Sequence, residues 1–296
     1  EGEIEECRAS VAGQEGVAVE HRVFEHLPNR EAHDRLYRTV MDESGRFDAF
    51  VKLDADMAFA DPAALSRLLE PLGRIEGLDH LVSAVDDWMT GTDMIGVHAF
   101  SSRVRWSEHG ETLFVDPDPV FPGLQLVEPA PRPPVVRHAF DPTPLQAFHF
   151  GVHRALQAVQ RGRNRATRRA HTAILQMVVL DRVWRRFVTV GDRRLGLAVL
   201  GGDLVFRNHI RSTANDYADP DLRARLAEVT ELDAAALEVT LGCRWASVRR
   251  RWASWWRALA PSMRVAVVHR LCRDGLTWPV RRALTGRARR PRSRWG

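Results

Sequence analysis

Two aspartates two residues apart, Asp54 and Asp56, end the run Phe47-Asp-Ala-Phe-Val-Lys-Leu-Asp-Ala-Asp-Met57. Hard carboxylate oxygens suit Mg2+ or Mn2+. Such an ion, sharing its coordination shell with substrate phosphates, offsets the charge of a departing diphosphate. Residues i and i+2 point to opposite faces of a continuing strand, so both acids reach one ion only where the chain turns between them. Ala55 permits that turn. The chain repeats the spacing at Asp116-Pro-Asp118 and Asp219-Pro-Asp221, but both repeats hold a proline in polar surroundings and read as solvated turns.

Further groups with chemical potential lie downstream. The apolar run Leu81 to Val85 empties into Asp86-Asp87-Trp88, so acids again stand at a strand's end. His138 follows a short Val135-Val136 strand, and His149 and His153 are spaced i, i+4, which puts two imidazoles on one helix face. Arg30, His33 and Arg154 are cations able to steady phosphates. Cys7, Cys243 and Cys272 are odd in number and lack metal-ligand spacing, which argues against a disulfide framework or a zinc ribbon and for a reducing cytoplasm.

The elements that must hold these residues follow from periodicity. Glu3 to Gly13 reads as a helix with Ile4, Cys7, Ala9 and Val11 as buried positions, and Val17 to Phe24 alternates like a strand. Asn29 is placed to cap a helix to about Asp42, with Ala32, Leu36, Tyr37 and Val40 on its apolar side. The stretch from Phe47 reads as a buried parallel strand delivering its acids beyond its carboxyl end. Asp61-Pro62 opens a helix through Leu69. Met94 to Phe100 and Trp106 to Val115 read as strands, and Asp116 to Pro144 as an irregular loop over the site. Gln146 to Gln160 and Ala170 to Arg186 read as helices, and Leu195 to Phe206 as a strand pair or one strand bent at Gly201-Gly202.

The 296 residues, 45% hydrophobic and 27% charged, describe a globular chain, and no apolar run reaches the roughly 20 residues that span a bilayer. The net charge of +5 is uneven. From Arg244 to Gly296 there are 15 arginines and one acid, +14; the remainder carries 28 basic and 37 acidic residues, −9. Two units follow: 1–242 and a basic tail, 243–296, holding six of the nine tryptophans. In the tail Trp245, Val248, Trp252, Trp255 and Leu259 form one helical stripe beside Arg249, Arg250, Arg251 and Arg257. Further amphipathic stretches run Met263 to Leu271 and Trp278 to Leu284. The stripe reads as a monotopic anchor, Trp245, Trp252 and Trp255 entering the interface while Arg249 and Arg250 meet anionic lipid. Nucleic-acid binding through the same arginines is the rival reading.

The order of these features resembles a bacterial glycosyltransferase of the GT-A fold, family-2-like. The resemblance is carried by Cys7-Arg8-Ala9-Ser10 through Gln14, Glu31-Ala32-His33-Asp34-Arg35-Leu36-Tyr37, Phe47 through Met57, Val85-Asp86-Asp87-Trp88, and Gln146-Ala147-Phe148-His149-Phe150-Gly151-Val152-His153-Arg154. It covers roughly residues 3 to 215 and begins at the helix after the family's opening strand. It implies an α/β, Rossmann-like fold with a mixed, mostly parallel sheet flanked by helices, followed by an amphipathic helical extension.

Its functional implication is sugar transfer from a nucleotide-sugar donor to a glycan or lipid-linked acceptor, dependent on Mn2+ or Mg2+, at the inner face of the cell membrane. Asp54 and Asp56 would hold the cation, with His138, His149 and His153 as candidates for a further ligand. Arg30, His33, Lys52 and Asp54 would contact the donor. Asp86 or Asp87 would deprotonate the acceptor hydroxyl, and Trp88 and His138 would contact acceptor or sugar. An inactive scaffold retaining the fold is the third expectation.

Overall fold

The computed structural model describes residues 3–106, 119–128, 134–159, 166–210 and 219–273. Its element order is α1 (Ile4–Ala12), α2 (Asn29–Asp42), β1 (Phe50–Lys52), β2 (Met57–Phe59), α3 (Ala64–Arg74), β3 (Leu78–Asp87), β4 (Thr92–Phe100), β5 (Leu124–Glu128) and β6 (Val136–His138). The helices α4 (Pro144–Val159), α5 (Ala166–Val190), α6 (Arg193–Phe206), α7 (Pro220–Ala227), α8 (Ala234–Ala258) and α9 (Pro261–Arg273) follow. The fold is mixed α/β.

The sheet is open, in the order β1-β4-β3-β6-β2, with β5 also paired to β3. β3 is its spine. It pairs antiparallel with β4 from His80 to Asp87 and parallel with β5 near its start and β6 at its end. β1 against β4 and β2 against β6 are antiparallel too, so the expected mostly parallel sheet is corrected: three pairings are antiparallel and two parallel. The expected strand before the acid pair is corrected with it. β1 has three half-buried residues on the sheet's outer edge, because Phe50 to Lys52 find a partner only in His98 to Phe100. Phe50 and Phe100 face α2, where Tyr37, Val40 and Trp106 complete a small aromatic core. On another side Leu81, Val85, Val97 and Ala99 meet Leu65 and Leu68 of α3 and Val179 of α5.

The Val17 to Phe24 segment is no strand. Its alternating valines have no ladder partner, and Val19 and Val23 remain 43% and 38% exposed. Ion pairs hold it instead: Arg22 to Glu43, Arg46 to Glu20 at 2.6 Å, and Arg8 to Glu25. α2 starts at Asn29, with Pro28 in the cap position. Beyond Trp106 the expected strand to Val115, and Asp116 and Asp118, lie outside the described residues. The expected irregular loop contains β5, whose Leu124, Leu126 and Glu128 carry too short a pattern to stand out.

Leu195 to Phe206 is helical, correcting the expected bent strand. Its residues are apolar almost all round because α6 is buried among α4, α5 and α8, and a short apolar run of this kind has no period that separates helix from strand. Gly191, at φ 74°, ends α5, and Asp192 caps α6 by accepting from the Arg194 amide at 2.9 Å. Gly201 and, across the interface, Gly151 permit backbone-to-backbone packing. A methyl group on Gly151 of α4 would collide with the Ala198 carbonyl, and one on Gly201 with the Phe148 carbonyl.

Asp219 caps α7 with Pro220 behind it, as a turn reading of that acid pair expects. Asp233 caps α8 by accepting from Ala236 at 2.8 Å, so α8 begins before the composition shift and runs unbroken through 242/243. The apolar stripe of this helix faces inward. Trp245 is 0% and Val248 1% exposed within the helical core, and Trp252 packs against it. An anchor using Trp245 is thereby corrected, since an enclosed indole touches no lipid. The stretch Trp278 to Leu284 lies outside the described residues. No helix among the described residues is long and apolar enough to cross a membrane.

Candidate active site

Sheet register builds the site. His138, last residue of β6, stands beside Met57 of β2 on one side and Asp87 of β3 on the other. Directly before Met57 the chain turns, its amide donating to the Asp54 carbonyl at 2.9 Å, which is the reversal that Ala55 was expected to allow. The Asp56 carbonyl accepts from the Ala139 amide at 2.8 Å and the His138 carbonyl from the Trp88 amide at 3.1 Å. Ala139 sits at φ 48°, so the chain leaves the sheet sharply after the histidine.

These backbone ties bring three ionisable side chains into a row. His138 Nδ1 lies 2.7 Å from Asp87 Oδ1, and His138 Nε2 lies 3.4 Å from Asp56 Oδ2. Asp87 is 0% exposed, and its other oxygen accepts from the Thr90 amide at 2.7 Å and the Thr90 hydroxyl at 2.5 Å. Behind Thr90, Thr92 Oγ1 accepts from Arg182 at 2.8 Å.

Charge follows geometry. Burial by itself would lower the His138 pKa, but attraction and hydrogen bonding from Asp56 and Asp87 win and push it up to about 10. Burial would raise both carboxyls; His138, with the Thr90 donors for Asp87 and the Arg154 charge for Asp56, holds them below the usual carboxylate range. At neutral pH the row is carboxylate, imidazolium, carboxylate. Glu3 lies in the same field; burial, the largest influence on it, raises its carboxyl, while it accepts from the Asp141 amide at 3.0 Å and from Gln146 at 2.6 Å.

Several expected roles change. Asp87 is no candidate base: enclosed and accepting three hydrogen bonds, it orients His138. Asp86, its exposed neighbour, keeps the position facing solvent. His138 is not a surface contact for a sugar but the buried centre of the row. The Trp88 ring is covered by Arg194 and Arg186, whose guanidinium carbons lie 4.4 and 5.1 Å from its centroid, so stacking on a sugar is corrected to packing between cations. His33 is buried beside Tyr37, with ring centroids 6.3 Å apart, a place in the α2 core rather than at a donor. The Arg30 side chain lies outside what is described.

His149 and His153 do share a face of α4, their rings stacked at 6.0 Å. His149 is buried, and His153 lies 2.8 Å from Gln157 Nε2, within a polar seam that continues to Gln176. Among the described residues no group of three or more His, Cys, Asp or Glu is placed to hold a metal, so Asp54, Asp56, His149 and His153 do not form one ligand set. Asp54, 47% exposed, pairs with Lys52 at 3.3 Å, and Asp56 is 32% exposed across the turn. Both are partly exposed carboxylates, each already beside a cationic side chain, Lys52 for Asp54 and His138 for Asp56.

Sequence reasoning named Asp56, Asp87 and His138 under three separate roles and missed that they form one unit. Asp87-x-x-Thr90 was the available signal, the spacing at which a carboxylate accepts from a nearby backbone amide. No protein-family model, curated protein or solved structure matches the chain.

Proposed function

We propose that the chain is a divalent-cation-dependent glycosyltransferase moving a sugar from a nucleotide-sugar donor to a glycan or lipid-linked acceptor. The supporting observation is the Asp56–His138–Asp87 row, lying directly against the turn that presents Asp54 and Asp56. A diphosphate needs positive charge where it departs and acids that tolerate an ion beside them. In this reading Mg2+ or Mn2+ on Asp54 and Asp56 would neutralise the leaving diphosphate. Asp87 fixes the His138 ring, and the imidazolium adds a fixed positive charge beside Asp56. Lys52 and Arg154 extend that positive field from either flank.

In this reading the acceptor oxygen bonds to the anomeric carbon as the bond from that carbon to the diphosphate breaks, the electron pair leaving on the diphosphate and the hydroxyl proton passing to solvent. Asp86, next to Asp87 on β3, projects from the face of the sheet opposite His138. The test is turnover of uridine- and guanosine-diphosphate sugars with Mn2+. Asp56→Ala is expected to reduce turnover at least a hundredfold, on the order of what removing one electrostatic stabiliser costs. An unchanged rate would reject the cation mount, and no turnover by the wild-type chain with any such donor would reject the reading altogether.

A further inference from the structure

We propose that the outer face of α8 and the start of α9 form a docking surface for an anionic lipid bilayer, through arginines and without insertion of the tryptophan stripe. The inward turn of that stripe is the starting observation. With Trp245, Val248 and Trp252 committed to the core, the surface left outside is cationic: Arg250, Arg251 and Arg257 are exposed and form no ion pair among the described residues. The charge of Arg251 reaches the buried Asp203, whereas Arg250 and Arg257, seven residues apart on one side of the helix, pair with no acid among the described residues. Arg249 is spent on Asp181 at 3.0 Å. Trp255, 36% exposed and edge-on to Trp252, and Val265, 68% exposed on α9, are the large apolar side chains left exposed in these two helices besides Val239.

Charge complementarity decides the partner. Fifteen arginines against one acid follow residue 243, so this part of the chain is attracted to a negatively charged plane. A nucleic acid fits less well. Binding a single strand calls for a groove with successive aromatic platforms, and here the face is the convex outside of a helix with one half-exposed indole. This inference does not rest on the sugar-transfer reading.

The experiment is sedimentation of the full chain with phosphatidylcholine vesicles, with and without phosphatidylglycerol. The wild type is expected to bind only the anionic vesicles and to be released by salt. Arg250→Gln with Arg257→Gln is expected to weaken binding about 25-fold, and the Arg250→Glu, Arg257→Glu pair more than about a hundredfold. Both pairs are surface changes, and unaltered circular dichroism checks their folding. Equal binding to neutral vesicles, no binding by the wild type, unchanged affinity in the Gln pair, or salt-sensitive binding to an oligonucleotide without vesicle binding would each overturn the proposal.

Discussion

Asp87 and Asp203 are the same residue type at the same depth, 0% and 1% exposed, yet their carboxyls shift in opposite directions. Asp87 accepts three hydrogen bonds and touches an imidazolium. Neither Asp203 oxygen has a hydrogen-bond partner among the described residues, and its nearest guanidinium nitrogens, from Arg207 and Arg244, stand 3.7 and 4.0 Å away. Burial raises Asp203, and the surrounding arginines only partly offset it. Proximity to positive charge therefore does not secure a buried carboxylate; short, directed hydrogen bonds do.

Removing the better-served acid is expected to have the largest effect. Asp87→Ala leaves a buried imidazolium with Asp56, at 3.4 Å, as its one carboxylate partner, and chemical denaturation should show a loss of about 3–5 kcal/mol. A loss under about 1 kcal/mol would erase the distinction between the two sites. Next comes pH. Because the folded His138 pKa is about 10, above its ordinary 6.5, its contribution is complete below pH 6.5 and drains away as pH rises to 10. With no divalent ion added, the urea midpoint of the wild type should fall across that interval, and His138→Gln should flatten the fall. Parallel slopes would count against a charged His138.

Thr90→Val removes one hydroxyl donor and leaves the amide, for an expected loss of about 1–2 kcal/mol. Asp203→Asn is expected to be smallest, within about 1 kcal/mol of the wild type and on the stabilising side at neutral pH. Its sign on acidification opposes that of Asp87. A carboxyl raised by folding gains stability as pH falls through its folded value, so wild type should close the gap to the variant in mild acid. A destabilisation of 3 kcal/mol or so by Asp203→Asn would mean that its arginines hold it as firmly as His138 holds Asp87.

Much of the frame was legible from sequence. α2, α4 and α5 have clear helical periods, β4 was bounded within two residues, and a turn between Asp54 and Asp56 was the condition for both acids to reach one ion. What failed did so for physical reasons. β3 is buried at every position from Leu78 to Val85, so no alternation reveals which of Asp86 and Asp87 turns inward. The row on His138 joins three strands distant in sequence, and only pairing register brings them together. α6 hid its period because every side of it is covered. The tryptophan stripe of α8 was correctly drawn but assigned to lipid, since a sequence shows that a face is apolar without showing what it faces.

The seam of Gly151 and Gly201 against the Ala198 and Phe148 carbonyls has a mechanical consequence. With main chain resting on main chain there is no layer of pliable side chains to act as a bearing, so α4 and α6 are expected to move as one block. Arg154 rides on that block. Any opening or closing around a substrate is then expected at the short Asp54–Met57 turn and its neighbouring strand ends.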